Sequence, residues 1–167
     1  EIGWCDWSSD VCSSDLYGNA WVCGDAGVYG DARVYGNAWV YGDARVYGDS
    51  WVYGDSWVYG DARVCGNARV CGDANYFTMT GFGSENRTTT VFCDKDNDVQ
   101  VVCGCFNGTL DEFAARVEQT HGSNQFGDEY RALIELIKVR ARRFTPIADD
   151  PCGEEACRDV DSEEADE

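Results

Sequence analysis

From Leu16 to Asn75 the chain runs through ten six-residue units without a gap: LYGNAW, VCGDAG, VYGDAR, VYGNAW, VYGDAR, VYGDSW, VYGDSW, VYGDAR, VCGNAR and VCGDAN. The pattern is aliphatic–x–Gly–Asp/Asn–Ala/Ser–x, a period that no α-helix follows. A unit this short has no core of its own and becomes stable only by stacking on copies of itself. The repeat therefore predicts a parallel β-helix over 16–75, in which each hexad supplies one short strand and one corner. The aliphatic residue points inward and the Ala or Ser packs near the bend. Gly followed by Asp or Asn gives that bend its backbone freedom and local hydrogen bonding.

The hexads resemble those of the left-handed β-helix proteins of bacteria and their phages, in particular the YdcK-type β-solenoid repeats. The resemblance implies a left-handed triangular coil of three hexads, so that residues eighteen apart stack at one strand spacing, ~4.8 Å. Ten hexads then make a little over three coils. On that stacking, one face is expected to carry Tyr17, Tyr35 and Tyr53 beside Trp21, Trp39 and Trp57. A second carries Tyr41 and Tyr59 beside Arg45 and Arg63. The third carries Tyr29 and Tyr47 beside Arg33, Trp51 and Arg69, an Arg–Trp–Arg ladder suited to cation–π contact. Stacked aromatics stabilise a sheet without any ligand. The functional reading takes Trp21, Trp39, Trp57, Tyr35 and Tyr53 as a partner or self-association face, because a large exposed apolar patch marks contact. Cys23, Cys65 and Cys71 fall on three different faces, which forbids disulfides among them. Hexapeptide acyltransferases share this repeat but use a His on or near the coils and an extruded loop. The coils here hold no His, no Lys and no insertion, so no catalytic residue is expected.

At Tyr76 the period breaks. YFTMTGF, RTTTVFC and DVQVVCGCF read as three strands, the last two joined by a tight DKDND turn. Asp94, Asp96 and Asp98 begin like a calcium loop, but the Gly and terminal Glu of such a loop are missing, which leaves a hairpin turn. TLDEFAARVEQTHG predicts a helix capped by Thr109, with Leu110, Phe113, Ala114 and Val117 on one face. A second helix is predicted near 127–143, with Tyr130, Leu133, Ile134, Ile137 and Ala141 inward and basic residues in its last turns. The fold class is thus mainly β: a left-handed parallel β-helix closed by a small βββαα module over 76–147. Such a cap is required physically, because an open terminal coil is a sheet edge that recruits other chains. GFGSENRTTTVF, VVCGCFNGTLDEF and THG followed by EYRALIEL also make this part similar to a module attached to hexapeptide solenoids in phage and prophage genomes of gut bacteria. That resemblance implies a source and a fold, and no activity.

Two constellations in the module invite chemistry. Gly83, Ser84, Arg87, Thr88 and Thr89 offer a Gly-rich turn, a guanidinium and hydroxyls, the parts of an anion or phosphate cradle, without the ending of a P-loop. Cys93, Cys103, Cys105 and His121 are a weak zinc candidate, since Cys103 and Cys105 lack the spacing of a zinc knuckle. Both sulfurs have an alternative place in the core. Cys105 also precedes a helix start, where thiols are activated, but His121 ends that helix about 18 Å away, too far for a dyad. No metal or other cofactor is expected.

The net charge of −18 is uneven: ten acids and one Arg lie in 148–167, an acidic tail expected to be disordered. No basic nucleic-acid-binding surface and no membrane-spanning stretch is present in the sequence. Residues 6–16, DWSSDVCSSDL, resemble the translation of a short-read sequencing adapter, so 1–15 is expected to be an artefact and the true start to be lost. Without an export signal the cysteines read as cytosolic thiols of a bacterial host. The leading expectation is a non-enzymatic phage or prophage protein that binds or assembles, self-associating through its aromatic face. The alternative is an anti-defence protein that sequesters a nucleotide signal, or blocks a host nuclease as an acidic DNA mimic.

Overall fold

The computed structural model describes residues 3–4, 16–71 and 75–144. The adapter-like stretch, apart from Leu16, and the acidic tail 148–167 lie outside the described residues. The short strands are β1 (Gly3–Trp4), β2 (Leu16–Gly18), β3 (Trp21–Gly24), β4 (Gly27–Tyr29), β5 (Arg33–Gly36), β6 (Trp39–Gly42), β7 (Arg45–Tyr47), β8 (Trp51–Tyr53), β9 (Trp57–Val58), β10 (Arg63–Val64) and β11 (Arg69–Cys71). They form three parallel sheets, ordered β1-β3-β6-β9, β10-β7-β4 and β11-β8-β5-β2. Consecutive strands never pair; each bonds to the strand three hexads away, Trp21 opposite Trp39 and Trp39 opposite Trp57. The same step of 18 residues runs through a corner ladder, where Asn19 Nδ2 donates to Asn37 Oδ1 at 3.4 Å and Asn37 Nδ2 to Asp55 Oδ1 at 3.0 Å. This is a β-solenoid.

The hexad explains its own packing. Val28, Val34, Val40, Val46, Val52, Val58, Val64 and Val70 are all fully buried, and each contributes about 1.5–3 kcal/mol of hydrophobic stabilisation. Alanines such as Ala32, Ala44 and Ala62 fill the bends, and the carbonyls of Ala44 and Ala62 accept from the preceding coil, as in Arg45 N→Ala62 O at 2.8 Å. Ser50 and Ser56 replace Ala in two units, and a buried hydroxyl needs a partner. Ser50 Oγ donates to Tyr47 O at 2.9 Å, and Ser56 Oγ bonds to the carbonyls of Tyr53 and Val70. The corner glycines sit at positive φ, with Gly48 directly under Gly66: a Cβ on Gly48 would lie 3.1 Å from Gly66 N.

Beyond the repeat come β12 (Tyr76–Phe82), β13 (Arg87–Cys93), β14 (Val99–Cys103), β15 (Phe106–Thr109), α1 (Leu110–His121) and α2 (Gln125–Ala141). The four strands make one antiparallel sheet in sequence order. The cap is therefore ββββαα, one strand more than the expected βββαα. Gly104, at φ 60°, and Cys105 form a two-residue turn, after which Phe106–Thr109 folds back along β14 from Cys103↔Phe106 to Gln100↔Thr109. The apparent alternation through Cys103 and Cys105 hid that turn. Asp94 closes the preceding hairpin, its Oδ1 accepting from the Asp96 and Asp98 amides at 2.9 Å and its Oδ2 from Gln100. Thr109 caps α1 through a reciprocal capping box with Glu112, and α2 starts at Gln125 because Asn124 accepts from the Gly127 amide.

The sheet is buried on both faces. Tyr76, Phe92 and Val102 join the valine core of the last coil, while Phe77, Val91 and Val101 pack with Phe113, Val117, Leu133, Ile134 and Ile137 of the helices. The coil's exposed backbone is also met: Arg63 N donates to Thr90 Oγ1 at 3.1 Å, Lys95 N to Asn67 O at 3.0 Å, and Ala68 bridges to Asp94. No helix among the described residues is long and apolar enough to cross a membrane.

Candidate functional site

The aromatic residues divide among the faces differently from the expectation. Trp21, Trp39 and Trp57 share their sheet with Cys23 and Tyr41, on which Tyr59 stacks, whereas Tyr35 and Tyr53 belong to the sheet of Arg33, Trp51 and Arg69. The physical reason is strand phase. The outward residues are the two that flank each inward Val, and the one before it is the last residue of the preceding hexad. Trp21 thus flanks Val22 and shares a strand with Cys23, not with Tyr17.

On the tryptophan face, Trp21, Trp39 and Trp57 stack with ring centroids 5.6 Å apart, and Tyr41 stacks on Tyr59 at 5.5 Å. Trp39, Trp57 and Tyr59 keep 39%, 49% and 48% of their surface in solvent. On the arginine face, Trp51 lies between two guanidiniums, Arg33 at 5.3 Å and Arg69 at 4.2 Å, so the Arg–Trp–Arg ladder is present with Tyr35 and Tyr53 beside it. Tyr53 is only 4% exposed, which removes it from any partner face.

In the cap, the expected anion cradle comes apart. Thr89 and Thr88 alternate across the sheet; Thr89 is buried with its Oγ1 donating to Cys103 Sγ at 3.4 Å. The Gly83 amide donates to Glu129 Oε2 at 3.1 Å, which puts a carboxylate where an anion would bind, and Ser84 is exposed in the turn. The zinc set is not assembled either, and no group of three or more potential ligands occurs among the described residues. Cys93 pairs with Val99 and Cys103 with Thr89, four residues apart along one strand and so about 13 Å from each other. Cys105 sits exposed at the hairpin tip, separated by β15 from the helix start it was expected to adjoin.

What the cap does assemble is a cleft of about 920 Å³ beside α1 and the β14–β15 hairpin. Aromatic rings line it continuously, Phe113 and Tyr130 buried and Phe106 and His121 half-buried. Phe106 meets Phe113 at 5.2 Å, Phe113 meets Tyr130 edge-on at 5.8 Å, and His121 stacks on Tyr130 at 5.4 Å. The Tyr130 hydroxyl lies 3.9 Å from Cys103 Sγ and 3.5 Å from Phe82 O. Burial, with Cys103 alongside, pushes the Tyr130 phenol up to about 12, so it is a neutral donor at ordinary pH. Two glycines make room for this arrangement: a Cβ on Gly83 would run into the Tyr130 hydroxyl, and one on Gly104 into the Arg87 guanidinium. Arg87 and Arg116 are exposed at the cleft and form no ion pair or hydrogen bond among the described residues. Glu112 is its one acidic lining residue, and its Oε2 accepts from Thr109 N at 2.9 Å. Of the expected site residues only Arg87, Cys103, Cys105 and His121 line this cleft. The sequence reading missed Arg116, Phe106 and Tyr130 as site residues; Tyr130 was legible only as part of a helix's apolar face.

Residues 26–42 and 40–54 match the family model described as YdcK beta solenoid repeat. Both matches fall within the stacked strands, in agreement with the parallel pairing, and the chain is a β-solenoid repeat protein. No curated protein and no solved structure matches it.

Proposed function

We propose that this is a non-enzymatic binding or assembly protein that self-associates through the face built from Trp21, Trp39, Trp57, Tyr41 and Tyr59. The observation that carries the reading is charge. This face has no charged side chain on its strands, while the other two carry Arg45 and Arg63, or Arg33 and Arg69. Ladders of half-exposed indoles on an otherwise acidic protein are surface that a second copy covers favourably, since an isologous contact brings no like charges together. The coil is read as left-handed, with three hexads per turn and a little over three turns, following the resemblance of its hexads to left-handed β-helices. The likeness of the cap to phage-borne modules supports a phage or prophage source. The six free cysteines among the described residues support a reducing bacterial cytoplasm.

The test is light scattering on the full chain over a concentration series, beside the double variant Trp39→Glu/Trp57→Glu. The expected result is a multimer that the variant converts to a monomer with unchanged circular dichroism. A wild-type chain that stays monomeric throughout the series would sink the reading. The alternative of a ligand-sequestering protein draws on the cap, not on this face, and is favoured by the unpaired arginines of the cleft.

A further inference from the structure

We infer that the cleft beside α1 and the β14–β15 hairpin binds a small anion carrying a planar ring, a phosphate or carboxylate attached to an aromatic or heteroaromatic group. The inference is independent of self-association through the solenoid. Elsewhere in the cap, Arg131 bonds to both Glu118 and Asp128, and Arg140 lies over the Phe77 ring. In a chain of 31 acidic residues against 13 basic ones, this cleft holds two arginines with no carboxylate partner among the described residues, Arg87 and Arg116. Its one carboxylate, Glu112, is engaged in capping α1. The lining is therefore net positive within a chain of charge −18.

Geometry adds specificity. Arg87 lies against the Cβ-less backbone of Gly104, which leaves room for a planar donor at the cleft. The half-buried rings of His121 and Phe106, backed by the buried Tyr130 and Phe113, offer a platform for a planar group. A volume of about 920 Å³ falls in the range of small-molecule sites. The size of the anion is limited by the same charge balance. At physiological salt a small anion in contact with two guanidiniums is screened from charges beyond ~8 Å, whereas a nucleic acid strand extends over the acidic surface and is repelled.

The chain has a single histidine, so the imidazole of His121 is a unique reporter inside the cleft. Full-length protein labelled with 15N-histidine would be titrated with phenyl phosphate, and separately with phenol, inorganic phosphate and a single-stranded oligonucleotide. Phenyl phosphate is expected to shift the His121 resonances saturably, with phenol and phosphate each binding about tenfold or more weakly. Arg87→Gln and, independently, Arg116→Gln should each weaken phenyl phosphate about tenfold or more, the size of one lost charge-assisted bond. Both side chains are exposed, so an unchanged urea midpoint verifies folding. The proposal is overturned if phenyl phosphate leaves His121 unmoved, or if both variants bind it as the wild type does. Tighter binding of the oligonucleotide would overturn the restriction to small anions.

Discussion

Alanine at Gly48 and at Gly66 should have unequal costs, although the two residues are alike in sequence and backbone. Both follow an aromatic or thiol side chain, and both sit at positive φ, 76° and 69°. An L-residue there costs about 1–2 kcal/mol, partly offset because alanine reduces the freedom of the unfolded chain by about 0.4–1 kcal/mol. Gly66→Ala carries only this balance, since nothing lies within 4 Å of the Cβ it would gain. At Gly48 the new Cβ meets Gly66 N at 3.1 Å and Gly66 O at 3.2 Å. These are backbone atoms of the next coil and are held by the stack, so relief requires separating coils. Overpacking of that kind adds about 1–3 kcal/mol. Urea unfolding should therefore place Gly66→Ala within about 1.5 kcal/mol of wild type and Gly48→Ala about 1–3 kcal/mol below Gly66→Ala, at similar m-values. Equal losses would refute the claim that coil contact, and not turn conformation alone, requires glycine at the corners.

Alkaline pH should destabilise the fold in a defined window. Burial pushes the Cys93 thiol up to about 11, with Asp94 and Asp98 adding to the shift, and burial pushes the Tyr47 and Tyr130 phenols up to about 12. Each folded value lies above the unfolded one, about 8.5 for Cys and 10 for Tyr, so the unfolded chain releases protons that the folded chain keeps. Stability is then intact below about pH 8.5 and falls as pH rises toward about 12; a urea midpoint that stays flat from pH 8 to about 11 contradicts it. Among the described cysteines, Cys105 at the hairpin tip should be alkylated by iodoacetamide well before the buried Cys65, Cys93 and Cys103, as read by peptide mass mapping. Comparable rates at Cys105 and Cys93 would contradict the hairpin.

The hexad made the solenoid legible because one physical requirement, an inward aliphatic residue before a glycine corner, recurs in every unit. Even the substitutions obey it, with Ser50 and Ser56 finding carbonyls where Ala needs none. The faces were harder to read, because Trp39 is written in one hexad and belongs to the strand of the next. In the cap, alternation carried Cys103 and Cys105 along a single strand until Gly104 turned it, a decision made by backbone conformation and by pairing with β14. The cleft was least legible. Arg87 from β13, Arg116 from α1 and Tyr130 from α2 meet only through the packing of helices on the sheet, and no local pattern announces that meeting.

The stacking register has a consequence for how such a chain tolerates insertions and deletions. Loss of one hexad leaves every Val inward and every Gly at a corner, so the interior would not register the change. It would, however, rotate all that precedes it by a third of a turn. Trp21 would then leave the column of Trp39, and side chains from different faces would stack on one another. Loss of three hexads together restores every column and shortens the rod by one layer, ~4.8 Å. The interior is thus written in phase with six and the exterior in phase with eighteen. A length change in multiples of six alone would keep the molecule folded while scrambling its outer faces.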